Sequence, residues 1–126
     1  MEMVNLYAGW IGILVGFATG TLQGLGFHRE DFMGGYASWR RRMTRLGHIS
    51  CFGLGFVNLA YAFTVRSLGL ASISPWPSTL FIVGAITMPL TCYLSAFRQP
   101  WRHLFFLPVI SLLAGAAIFI WADLLP

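Results

Sequence analysis

Apolar residues run through this chain in four long stretches, separated by shorter segments rich in arginine, glycine, serine and proline. Hydropathy and length predict helices over about residues 6–27, 46–65, 78–97 and 104–122. Each is close to the roughly 20 apolar residues needed to cross a ~30 Å hydrocarbon core. The first stretch, YAGWIGILVGFATGTLQGL from Tyr7 to Leu25, contains no charged side chain. It has no basic flank and no small-x-small cleavage motif, so it reads as a retained span rather than a leader.

Inside each stretch the small and polar positions recur at helical spacing. Gly12, Gly16, Gly20 and Gly24 follow one another every four residues and form a single stripe, with Gly9, Thr19 and Gln23 on or beside it. In the second stretch Gly47, His48, Cys51, Gly55 and Asn58 share one arc. The third carries Gly84, Thr87, Thr91 and Ser95, and the fourth Pro108, Ser111, Ala114 and Gly115. Helices in lipid associate through close backbone approach and interhelical hydrogen bonds, so these faces are expected to meet. The natural partner of the first stripe is the second helix, with Gly47, Cys51 and Gly55 opposite. Gln23 and Asn58 are expected to find partners within the protein.

The polar segments change the picture at one end. Phe32, Tyr36, Trp39, Met43 and Leu46 are spaced 4, 3, 4 and 3, which predicts an amphipathic interfacial helix with Arg41 and Arg45 on the opposite face. Gly34 and Gly35 each cost such a helix about 1 kcal/mol of propensity. The expected fold is therefore all-α: a polytopic membrane protein of four transmembrane helices in a bundle, forming a single integral membrane domain over 1–126, with an amphipathic interfacial segment between helices 1 and 2.

Composition supports the membrane reading. Of 126 residues, 57% are hydrophobic and 10% charged, against about 25% charged in ordinary soluble domains. All eight basic side chains are arginine. Arg29, Arg40, Arg41, Arg42, Arg45, Arg98 and Arg102 fall in the 26–45 and 98–103 connections, and Arg66 alone falls at the other end. The positive-inside rule then makes those two loops cytoplasmic and places both termini outside a bacterial inner membrane. Trp39 and Trp101 mark the inner interface; Tyr7, Trp10, Trp76 and Trp121 mark the outer. The net charge of +4 points to anionic headgroups or other integral membrane subunits and not to nucleic acid, with Arg40, Arg41, Arg42, Arg45 and Trp39 as the lipid- or partner-binding residues.

Candidate chemistry is sparse. The predicted spans contain no Asp, Glu, Lys or Arg, which coupled transport normally uses, so a small channel or transporter ranks third. No hydrolase, zinc-protease or phosphate-loop motif occurs, so no catalytic residue and no metal site is nominated. The first expectation is a non-catalytic accessory subunit of a larger inner-membrane respiratory or photosynthetic complex. Its packing positions (Gly12, Gly16, Gly20, Gly24, Gly47, Gly55 and Asn58) would seat a helix, a carotenoid or a tetrapyrrole. The second is an electron-transfer module holding haem b or a quinone through His48, His28 or His103, which all fall at the arginine-rich boundary. Cys51 and Cys92 lie inside spans and read as small apolar residues.

Overall fold

The computed structural model describes residues 2–70 and 74–125. Among them there is no strand. Four helices form the framework: α1 (Glu2–Gly24), α2 (Trp39–Ser67), α3 (Trp76–Phe97) and α4 (Phe106–Ile118). A 3-10 segment, Gln99–Phe105, leads into α4, and a π-helical turn, Phe119–Leu124, follows it. All four spans, the last running Gln99–Leu124, are long and apolar enough to cross a membrane.

The helices pack in chain order, α1 on α2, α2 on α3 and α3 on α4, with a smaller α1–α3 contact. α1 and α4 are therefore the outer members of the bundle, and Leu14, Phe17, Ile110 and Leu113 on them are exposed. At ~1.5 Å per residue, the 29 residues of α2 give a helix of about 43 Å, longer than a bilayer core. Its first two turns, carrying Arg40 to Arg45, lie level with the ends of α1 and α3, where Thr44 meets Gln23 and Trp39 meets Ser95.

Glycine sets the helix–helix distances. A Cβ added to Gly55 would lie 2.9 Å from the Gly9 carbonyl oxygen, and one added to Gly12 would lie 3.1 Å from the Cys51 carbonyl oxygen and 3.3 Å from the Gly55 Cα. Here the backbones of α1 and α2 touch. Farther along the stripe the gap widens and side chains fill it. Gly16 receives the Phe52 ring and Gly20 the His48 ring, whereas Gly24 has no atom within 4 Å. Gly47 faces Tyr93 and Cys92 of α3 rather than α1. The stripe thus ends one turn short of Gly24, because α1 stops there and the chain turns away. Gly84 and Gly115 serve the α3–α4 contact in the same way, against Leu112 and against Leu80 and Phe81.

The deepest polar contact joins three helices. Asn5 and Asn58 are completely buried. Asn5 Nδ2 donates to Asn58 Oδ1 at 2.8 Å and to the Ser78 carbonyl at 3.3 Å, and the Ser78 hydroxyl donates to Asn5 Oδ1. Asn58 Nδ2 donates to the carbonyls of Leu54 and Phe81 at 2.9 and 3.3 Å. Asn58 so finds the internal partner expected of it. Beyond it, Tyr61 packs edge-on against Phe81 and Phe119, with centroids 5.4 and 4.9 Å away. These three rings and Val65 make a small buried cluster at the end opposite most of the arginines.

Candidate functional site: the arginine-rich end

The 25–38 connection is not an amphipathic helix. Its only helical element is a 3-10 turn, Phe32–Gly34, and the backbone then takes positive φ at Met33, Gly34 and Gly35 (55°, 86° and 90°). Two adjacent glycines make that excursion cheap, whereas a helix would have to suppress it. Ser38 closes the turn. Its hydroxyl donates to the Met33 carbonyl at 2.7 Å and accepts from the Arg41 amide at 3.2 Å, so it caps α2 at Trp39. The arginines that the spacing assigned to a separate surface helix are the first turns of α2 itself.

The reversal brings aromatic rings onto those arginines instead of opposite them. The Arg41 guanidinium lies 5.3 Å from the centre of Phe27, 5.5 Å from Tyr36 and 6.0 Å from Phe32. The Arg45 guanidinium lies 4.2 Å from the centre of the same Tyr36 ring, and that of Arg40 lies 5.6 Å from the centre of Phe97. Arg41 is only 8% exposed, and its Nε has no hydrogen-bond partner among the described residues. Its charge is held by ring quadrupoles, which are worth from about 0.5 to 2 kcal/mol per contact as water is excluded. One ion pair forms among the described residues, Arg29 with Asp31 at 3.4 Å, both well exposed. Among the described residues, the arginines of α2 have no acidic partner.

Neighbouring polar contacts fasten this end to the bundle. Trp39 is half-buried, and its indole N–H donates to the Ser95 carbonyl at 2.7 Å, tying α2 to α3. Gln23 Nε2 donates to the Thr44 carbonyl at 3.2 Å and to Tyr93 Oη at 3.4 Å, linking α1 to both other helices. Thr44 Oγ1 reaches the Met33 sulfur at 3.5 Å, which pins the turn against α2.

The three histidines occupy different surroundings. His28 and His103 are exposed on the turns after α1 and before α4. His48 is half-buried on α2, with Nδ1 3.4 Å from Thr19 Oγ1 and its ring edge-on to Phe52 at 5.2 Å. The flat ring that Gly20 admits is therefore the His48 side chain itself. Among the described residues no three His, Cys, Asp or Glu side chains are grouped to hold a metal ion. Cys51 and Cys92 are buried free thiols.

Two residues of this architecture stand outside the sequence-derived set. Asn5 continues the stripe 5, 9, 12, 16, 20 and 23, spaced three or four residues apart, a signal hidden by starting the helix at Leu6. Tyr36, placed by periodicity on an apolar face, is instead the platform for Arg41 and Arg45. No known family, characterised protein or solved structure matches the chain.

Proposed function

We propose that the chain is a non-catalytic subunit of a larger assembly in a bacterial inner membrane, with respiratory or photosynthetic electron-transfer complexes as the class to search. The arginine-rich end faces the cytoplasm and the termini face outward, following the segregation of seven arginines from one. One observation carries the reading. The polar side chains of the spans, Asn5, Asn58, Ser78 and Gln23, bond to other helices of the same chain, while the outer faces of α1 and α4 are apolar and exposed. Internal polar pairing of this kind supports a fixed packing element better than a conducting path, which needs polar or ionisable groups along a cavity. Exposed α1 and α4 faces offer surfaces for lipid and for neighbouring helices.

The test is purification of the tagged full-length chain from its native membrane in mild detergent, with identification of what travels with it. The proposal predicts that it migrates with larger integral membrane subunits through two successive separations. A folded chain that always migrates alone contradicts it.

A further inference from the structure

Two shallow, open grooves lie along an exposed side of α2, beside Met88 of α3 and Phe105 of the 3-10 segment, and meet below the arginines. One, of about 400 Å³, is lined by Arg42, Met43, Arg45, Leu46 and Ile49. The other, of about 490 Å³, starts from the same Leu46 and Ile49 and continues past Gly53 to Val57, with Met88 and Phe105 also lining it. Arg42, Leu46, Ile49 and Gly53 fall on one face of α2 at ~100° per residue. From Leu46 to Val57 the helix rises about 16 Å, the depth of one leaflet of a ~30 Å core. Gly53 leaves the middle of this trough open, since a Cβ added there would have no atom within 4 Å.

The mouth of the trough is cationic and its body is hydrocarbon. Arg45 is held over the Tyr36 ring at 4.2 Å, which orders a guanidinium whose N–H groups form no ion pair among the described residues. Arg42 is exposed one turn away, and neither forms an ion pair among the described residues. Phosphate oxygens fit such a pair through charge-assisted hydrogen bonds. An occupant that satisfies both ends carries a phosphate and a long apolar tail.

We propose that this groove seats an anionic phospholipid, with its headgroup phosphate on Arg42 and Arg45 and one acyl chain along Leu46, Ile49, Gly53 and Val57. The inference rests on the reading of the chain as membrane-spanning. It adds to the general attraction of arginine for anionic membranes a single position and a tail-binding surface. A free phosphate ion would use the arginines but not the trough.

Native mass spectrometry of the detergent-solubilised full chain, offered equal amounts of dioleoylphosphatidylglycerol and dioleoylphosphatidylcholine, tests it. Retention of one phosphatidylglycerol over phosphatidylcholine by roughly tenfold or more is expected. Arg42→Gln should lose most of that preference. Gly53→Trp should lose the bound lipid while keeping the wild-type helical circular dichroism and melting temperature. If Gly53→Trp lowers the melting temperature, Val57→Trp repeats the block lower in the trough. Equal retention of the two lipids, full retention by a correctly folded trough variant, or displacement by millimolar inorganic phosphate overturns the site. Alkaline extraction of the membranes separates the two levels of failure. A chain released into the aqueous phase overturns the membrane reading together with the site, whereas an embedded chain without lipid preference overturns the site alone.

Discussion

The Asn5 amide donates to the Asn58 side-chain oxygen across 2.8 Å, with both residues completely buried. This contact ties the first turn of α1 to the C-terminal half of α2, and Ser78 extends it to α3. Unpaired amides in an apolar interior are costly, so each asparagine makes the other necessary. Asn5→Ala and Asn58→Ala should each destabilise the bundle, and a double-mutant cycle of unfolding in detergent should give a coupling of about 0.6–1.7 kcal/mol. Strict additivity would mean that the pair does not hold the helices together.

The glycines divide into those that space helices and those that do not. Gly55→Leu places a side chain against the Gly9 carbonyl and Ile13, and overpacking of this kind costs typically about 1–3 kcal/mol. Gly53→Ala, in open space on the same helix, should be neutral or slightly stabilising because alanine is the better helix former. Thermal unfolding of the two variants should separate clearly; equal melting temperatures would remove the spacing role assigned to Gly55.

Arg41 should act as a rivet for the turn as well as a charge. Arg41→Lys keeps the cation but loses the planar face that stacks on Phe27, Phe32 and Tyr36. Hydrogen exchange across residues 27–38 is expected to accelerate roughly tenfold in Arg41→Ala and by less in Arg41→Lys, consistent with about 1–2 kcal/mol of ring contact. Unchanged exchange in Arg41→Ala would show that the turn is held by Ser38 and Thr44 alone.

Much of this architecture was legible from the chain, and the exceptions have physical causes. Four spans follow from hydropathy, and the concentration of arginine at one end follows from loop composition. The 4, 3, 4, 3 spacing of Phe32 to Leu46 is a genuine helical signal for its second half, where Trp39, Met43 and Leu46 do lie on α2. Its first half is overridden by Gly34, Gly35 and the Ser38 cap, local features that outweigh periodicity. The inward position of His48 was readable, but not that its own ring fills the space beside Gly20, because spacing gives direction and not separation. Asn5 escapes a hydropathy reading for a simpler reason: a polar residue at the edge of an apolar run looks like its boundary.

His48 also gives the account an optical consequence. With its ring packed into the Gly20 notch, the purified chain should be colourless, and His48→Ala should lower stability by leaving a gap there. A Soret band in the wild-type chain that disappears in His48→Ala would favour the haem-binding alternative over the packing role.

The central claim is that the exposed outer faces of α1 and α4 contact other membrane proteins. Photocrosslinking in the native membrane tests it most directly, with a benzophenone amino acid at Phe17 on α1 or Ile110 on α4, both more than 60% exposed in the isolated chain. The account predicts a discrete adduct with a different integral membrane protein from at least one of these faces, and none from a control probe at buried Phe81. Adducts with lipid alone, or only with second copies of this chain, would contradict it.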